Sequence, residues 1–328
     1  MLFELTVAYR KSAALFAFVE SKAPLYLNNQ AGRTVKELSQ LCNIPRDKIE
    51  RLCNYMQSLK VLEKKEDKFY LTEPCLSLSN PNSFKTTHIK FELNPAIWNA
   101  WSQYSASLTE TNNKSAFELY HNEPLYDYFS HEENHSHKTD FDNLMAKMSE
   151  VLSKHIINFI SLNGISSIID IGGGLGSLAK SIKMHNPDIQ CHVMDQYDFT
   201  RNESEGITFI NGDFFSTIPS GYDAYCLKNV LHNWPDNRAI NILKNCHEAM
   251  SENSVLYVIE MVKEPNISDA ASFDLYMDIM LSGKARYQSE FQSIAEQAGL
   301  TIINIQDLEL SLTGSRECII EMKKQPRL

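Results

Sequence analysis

Positive charge is scarce in this chain: 31 Lys and Arg face 41 Asp and Glu, a formal net charge of −10 over 328 residues. A broad nucleic-acid or anionic-membrane surface needs a concentrated positive field, so this balance argues against both, while a local basic patch stays open. No run of about 18 uncharged apolar residues occurs, which excludes a transmembrane helix. The apolar start, MLFELTVAYRKSAALFAFVE, lacks a basic stretch ahead of it and is interrupted by Glu4, Arg10, Lys11 and Glu20. It therefore does not read as a secretory signal. The seven cysteines are odd in number and scattered, with no CxxC pair. Free thiols in a reducing compartment follow, several of them acting as small hydrophobes in apolar runs. The expectation is a soluble, cytoplasmic protein.

What is present is ordinary for a globular chain, at 43% hydrophobic and 22% charged residues. The length leaves room for two domains of roughly 100–200 residues each. Leu2, Leu5, Tyr9, Ala13, Phe16 and Val19 recur at helical spacing. That helix packs either on its own domain or on another subunit. Thr34 with Glu37 forms a capping box before a helix. A break at Cys42-Asn-Ile-Pro45 follows, then a second helix from Asp47 to Leu59 and a hairpin from Val61 to Thr72. Helix, turn, helix, hairpin is a winged-helix pattern, so a DNA-binding regulator has to be weighed. Arg46, Lys48 and Arg51 are interleaved with Asp47 and Glu50, and the hairpin tip reads EKKED. Such mixing describes a solvated face better than a phosphate-binding one.

Residues 80 to 140 carry Trp98, Trp101 and Tyr104 at spacings of three, suited to a core or to the wall of a flat pocket. The stretch HEENHSHK (131–138) raises the question of a metal site. It has no firm frame to fix ligand geometry, so a solvated linker is expected. A long helix is expected from Phe141 to Ile160.

From Ile165 short apolar strands alternate with helices. Strands are expected at Ile165–Ile171, Gln190–Met194, Ile207–Ile210, Tyr222–Leu227, Ser254–Ile259, Thr301–Ile305 and Glu317–Met322, with helices at Asp236–Met250 and Gln288–Ala298. This alternation argues for a doubly wound parallel sheet with ligands at the carboxyl ends of its strands. The first strand runs into Asp170-Ile171-Gly172-Gly173-Gly174-Leu175-Gly176, and Ser177 opens a helix. Strand, glycine turn and helix start form a cradle for a nucleotide-like cofactor. Asp195 ends the second strand, where its carboxylate can accept both ribose hydroxyls. Asp213 ends the third, followed by Phe214 and Phe215, suited to an adenine's amino group and face. Three acids disfavour the extra phosphates of a dinucleotide and suit an adenosine with a positive centre, which tilts the reading from hydride transfer toward methyl transfer.

Together the motifs DIGGGLG (170–176), VMDQ (193–196), NGDFF (211–215), LKNVLHNWPDNRAINILKNCHEAM (227–250), DLYM (274–277) and GKARYQSEF (283–291) resemble the class I S-adenosylmethionine-dependent O-methyltransferases. The likeness is to the group with plant caffeate and flavonoid, hydroxyindole and bacterial antibiotic-tailoring enzymes. It implies a Rossmann-like α/β fold with a seven-stranded sheet (96–328, with 96–140 as a helical linker and pocket segment) and a mainly helical winged-helix dimerisation domain (1–95). It further implies a homodimer that methylates a hydroxyl of a small, hydroxylated aromatic acceptor, using S-adenosylmethionine, releasing S-adenosylhomocysteine and needing no metal, nucleic acid or membrane. By the same resemblance His232 is the general base and Glu260, at the end of the fifth strand, the acid that orients it. The cofactor contacts fall on Asp170, Gly172, Gly174, Asp195, Asp213, Phe214 and Lys228. Trp98, Trp101, Phe141, Met145, Met277 and Met280 are candidate pocket walls, and the methionines are equally plausible core filler. The chemistry needs a base, because a phenol of pKa about 10 is only about 0.1% ionised at neutral pH. A histidine that takes the proton as the oxygen attacks contributes roughly 10²–10⁴-fold.

The sequence departs from the family at Ala285, where a second acid is common, and at Asn233, commonly Asp. A decarboxylase or hydroxylase on the same fold, an amine or thiol acceptor, and a cofactor-sensing DNA-binding regulator stay open as alternatives.

Overall fold

A computed structural model describes residues 1–28, 30–109, 111, 114–196, 206–265, 267–310 and 316–325. The chain divides into two compact units, one of residues 1–99 with 126–145, the other of 100–125 with 146–328.

In the first unit Thr34 and Glu37 close the capping box, with Glu37 N–H on Thr34 Oγ1 at 3.2 Å and Thr34 N–H on Glu37 Oε2 at 2.7 Å. The helix Val35–Cys42 ends at Asn43 in the left-handed region, and Arg46–Ser58 follows. A three-stranded sheet of β1 (Arg33–Thr34), β2 (Leu62–Lys65) and β3 (Lys68–Leu71) completes the winged-helix arrangement in the order β1-β3-β2. Leu38, Ile49, Cys53, Met56, Phe69 and Leu71 fill its core, each at 0% exposure. Arg46, Asp47, Lys48, Glu50 and Arg51 all face solvent, as the mixed signs suggested.

Two sequence expectations need correction here. The first helix breaks at Ala8 into Leu2–Val7 and Tyr9–Glu20. Its packed stripe is Ala14, Leu15, Phe18 and Val19, while Leu2, Leu5, Tyr9 and Ala13 are exposed. The stretch 131–138 is not a frameless linker, because a helix runs from His135 to Ile156 and not from Phe141 to Ile160. Its first turns are polar and held by side chains: Lys138 pairs with Asp142, Thr139 Oγ1 donates to the His135 carbonyl at 2.8 Å, and Tyr128 Oη bonds His137 Nδ1 at 2.9 Å. Apolar periodicity has nothing to detect there.

In the second unit β4 (Ser167–Ile171), β5 (Gln190–Asp195), β6 (Ile207–Asn211), β7 (Ala224–Lys228), β8 (Val255–Lys263), β10 (Leu300–Asp307) and β11 (Arg316–Lys324) form the path β10-β11-β8-β7-β4-β5-β6. The two-residue β9 (Arg286–Tyr287), which sequence did not suggest, pairs beside β8. Strands β4 to β8 are parallel, and β11 runs antiparallel to both β8 and β10. One face packs Ile169, Ile171, Tyr225, Leu227 and Val258 on Ile242, Leu243 and Ile294 of the helices Asp236–Ala249 and Gln288–Gln297. The other packs Ile168, Cys226, Tyr257 and Ile259 on Leu152, Ile156, Leu178 and Ile182. Strand order reverses at β4, the switch point at which a doubly wound sheet opens a crevice beyond its strand ends. No helix among the described residues is long and apolar enough to cross a membrane.

Candidate functional site

The glycine turn leaves β4 at that switch point. Gly172, Gly174 and Gly176 have φ of 68, 55 and 75°, a region L side chains rarely adopt. Gly173 is required for a different reason: a Cβ there would lie 2.5 Å from Asp170 Oδ2. A Cβ on Gly174 would meet no atom of the described residues within 4 Å, so the turn borders open space among them. Asp195, at the end of β5, accepts the Gly174 N–H on Oδ2 at 2.9 Å and the Gln196 N–H on Oδ1 at 2.7 Å. Phe214 stands over Gly172, where a Cβ would come within 3.6 Å of its ring. Asp213 lies two residues beyond the end of β6, not on it. Its carboxylate accepts from Phe215 N–H at 2.9 Å and Ser216 Oγ at 3.0 Å, which fixes the turn that presents Phe214. Open space beside positive-φ glycines, an aromatic face and the carboxylates of Asp195 and Asp213 fit S-adenosylmethionine, an adenosine with a sulfonium.

Asp170 and Lys228, two of the expected cofactor contacts, are both buried. Asp170 is 2% exposed, and neither carboxylate oxygen has a hydrogen-bond partner among the described residues. Burial pushes its pKa up to about 7, against the Lys228 charge and with the Asp195 charge. Lys228, also buried, donates to Ser149 Oγ at 2.8 Å, and burial holds its ammonium below the ordinary lysine range. Asp170 lies directly against the glycine turn, its Oδ2 2.5 Å from where a Gly173 Cβ would stand.

His232 sits in the short turn Leu231–Asn233 after β7. Its Nδ1 lies 2.6 Å from Glu260 Oε2, and the Leu231 and His232 N–H groups donate to Glu260 Oε1 at 2.8 and 3.3 Å. Glu260 is 0% exposed and lies inside β8, which runs on to Lys263, so the sequence reading ended this strand too early. The Glu260 backbone is paired with Cys318 of β11. With Nδ1–H given to Glu260, neutral His232 presents Nε2 as a proton acceptor.

The pocket candidates fall in both units. Phe141 belongs to an aromatic group of the first unit, stacked on Phe129 at 5.0 Å and tilted against Phe91 at 5.5 Å. Trp98 and Met145 are in the same unit. Trp101 in the second unit is 41% exposed, whereas Met277 and Met280 are buried on the helix Ser268–Leu281. Phe273, one turn before Met277, was missed. Its ring packs edge-on against the His232 imidazole at 5.4 Å, and the i,i+4 spacing to Met277 was the signal that could have found it. Glu317 on β11 was also missed. It is 5% exposed with Oε2 unpartnered among the described residues, and burial together with the Glu260 charge pushes its pKa up to about 7. Among the described residues no group of three or more His, Cys, Asp or Glu is placed to hold a metal ion.

The family model of the O-methyltransferase domain matches residues 101–301, more than half of the chain. A mitomycin biosynthesis 6-O-methyltransferase of Streptomyces lavendulae is 26% identical over 312 residues, spanning 89% of this chain and 86% of its own. Among solved structures, the mitomycin 7-O-methyltransferase MmcR matches with a TM-score of 0.89 at 23% identity, over 98% of this chain and 96% of its own. NcsB1, an O-methyltransferase from neocarzinostatin biosynthesis solved with S-adenosylmethionine and 2-hydroxy-5-methyl naphthoic acid, matches at 0.76 and 20% identity, over 95% and 96%. With the switch-point cradle and the His232–Glu260 pair already in place, the matched domain makes this chain a member of the O-methyltransferase family.

Proposed function

We propose that the protein methylates a phenolic hydroxyl of a small aromatic acceptor, with S-adenosylmethionine as methyl donor and His232 as general base. The observation that carries the reading is the 2.6 Å bond between His232 Nδ1 and the buried Glu260 carboxylate. When bound, S-adenosylmethionine supplies a methyl group activated by its sulfonium. Gly172, Gly174, Asp195, Asp213 and Phe214 hold its adenosine end, and Asp170 lies against the glycine turn. His232 Nε2 takes the acceptor's hydroxyl proton, and Glu260 stabilises the imidazolium that results. Phe273 packs on the imidazole and keeps water from one side of it.

Incubation with labelled S-adenosylmethionine and a panel of phenolic metabolites, scored by a mass gain of one methyl, tests the reading. His232→Ala is expected to bind S-adenosylmethionine normally and to lose at least a hundredfold in methyl transfer, and unchanged turnover would sink the base assignment. Residues 1–95 serve in this reading as a dimerisation domain and 96–328 as the transferase domain. The exposed Leu2, Phe3, Leu5 and Tyr9 support a second copy as the partner. A monomeric mass by light scattering would dismiss it. The cysteines, all free, are consistent with a reducing, cytoplasmic location.

A further inference from the structure

The loop that carries His232 leaves β7 through Asn229, whose φ is 56°, and holds one 3₁₀ turn before Trp234. So short a turn does not fix an imidazole by itself. Glu260 gathers its N–H groups, as described above. Its carbonyl groups are gathered from another side by residues 284–286. Lys284 N–H donates to the His232 carbonyl at 2.9 Å. The Arg286 guanidinium donates from Nη1 to the Leu231 carbonyl at 2.8 Å, from Nη2 to the Trp234 carbonyl at 2.8 Å, and from Nε to Asp236 Oδ1 at 2.9 Å. Leu231 therefore has its N–H on a buried carboxylate and its C=O on a buried guanidinium. Gly283 belongs to the same arrangement, since a Cβ there would lie 2.3 Å from the His232 carbonyl oxygen.

Arg286 is 0% exposed. A guanidinium out of water is costly unless its donors are met. Here Asp236 meets one donor, and three more bonds go to main-chain carbonyls, two of them in the histidine loop and one at Lys284. An apolar side chain could fill the same volume, but only a planar fork reaches the Leu231 and Trp234 carbonyls from one carbon. Asp236 is held in turn. Burial acts to raise its pKa, but the hydrogen bond from Lys284 and the Arg286 charge outweigh it, and the carboxyl sits below its ordinary value. The acid that the family often places at 285 is an alanine, 1% exposed, so this segment acts on the loop through Arg286 and the backbone.

We infer that Arg286 is a positioning residue for His232: with Asp236 it locks the 231–234 turn at the one setting in which Nδ1–H meets Glu260. The inference rests on His232 being the base, and its test reads the ring separately from the reaction.

Full-length Arg286→Lys and Asp236→Asn are compared with the unaltered protein. Thermal melting, calorimetric S-adenosylmethionine affinity, kcat, and the His232 Nδ1–H proton in ¹⁵N-histidine spectra are measured, that proton being assigned by its loss in His232→Ala. Arg286→Lys is expected to lose at least thirtyfold in kcat while cofactor affinity stays within threefold. The Nδ1–H proton should exchange with water at least tenfold faster. Asp236→Asn should move both quantities the same way by less. A folded Arg286→Lys with wild-type exchange and kcat within threefold overturns the inference, even if its melting point falls. If Arg286→Lys does not fold, Asp236→Asn decides by the same two readouts, since it leaves the guanidinium in place. Full activity in His232→Ala would defeat the base assignment alone, and the exchange rate of the ring proton would still report whether Arg286 sets the imidazole.

Discussion

Replacing Glu260 by glutamine conserves volume and poses a choice the site cannot satisfy. Oε1 serves the Leu231 and His232 N–H groups and Oε2 serves His232 Nδ1, at 2.8, 3.3 and 2.6 Å. A glutamine has one oxygen. If it faces the imidazole, the amide NH₂ meets two main-chain donors, each left unsatisfied at about 1–3 kcal/mol. If it stays on the loop, the NH₂ faces Nδ1, and the imidazole must move its proton to Nε2. The second arrangement costs less and is the one expected. Nε2 then carries a proton and no longer accepts one from the acceptor. The corresponding change in a Ser-His-Asp triad costs about 10⁴ in kcat, about 5 kcal/mol at 1.36 per decade. The loss here is capped by what a general base is worth, roughly 10²–10⁴-fold. Glu260→Gln should therefore fall at least a hundredfold at pH 7, about as far as His232→Ala, and the double variant should be no worse than either. A phenol of pKa about 10 gains about a hundredfold in ionised fraction between pH 7 and 9, so both variants should recover toward wild type with pH. Turnover is followed by mass spectrometry at saturating S-adenosylmethionine. Two results would refute the reasoning: a kcat within threefold of wild type at pH 7, or a double variant showing the product of the two single losses.

Gly283→Ala should lower both the melting point and kcat, because its Cβ meets the His232 carbonyl at 2.3 Å and that backbone is already tied down. The destabilisation is of order 1–3 kcal/mol, read by denaturant titration. Asp195→Asn weakens the acceptor held by the Gly174 N–H and removes a charge from the cradle. It should raise the dissociation constant for S-adenosylmethionine at least tenfold in calorimetry, with kcat at saturation changed much less. Glu317→Gln should stabilise the protein above neutral pH. Its carboxyl has a folded pKa of about 7 against an ordinary 4.5, so the folded state holds a proton that the unfolded state loses first. The penalty is absent below about pH 4.5, grows as pH rises and is complete above about 7. The melting-point gain of the variant should follow that profile, and an equal gain at pH 4 and pH 8 would contradict it.

How much of this was legible in the sequence depended on the range of the interaction. The capping box at Thr34 and Glu37 is a three-residue signal, and it formed as read. The strand, glycine turn and helix at 167–185 were legible because a β-branched apolar run and positive-φ glycines act within a few residues of themselves. His232 and Glu260 were assigned through the family's motifs, and the fold brings them together across 28 positions. Other features carried no such mark. The exposed stripe of the first helix and its packed one are both apolar, so periodicity could not choose between them. The helix from His135 is held by polar pairs that a hydrophobic pattern does not register.

By itself, then, the sequence determined the order of the seven main strands of the large sheet, the cradle at the end of β4 and the class of chemistry, because those follow from local backbone preference and from motifs read in line. Only the tertiary structure decided that Asp170 and Lys228 lie buried, that Asp213 caps its own turn, and that Arg286 holds carbonyls 52 and 55 positions away. Those outcomes depend on which segments come into register across the sheet and on where water is excluded. A buried charge or a main-chain carbonyl acquires its partner only when distant parts of the chain have packed.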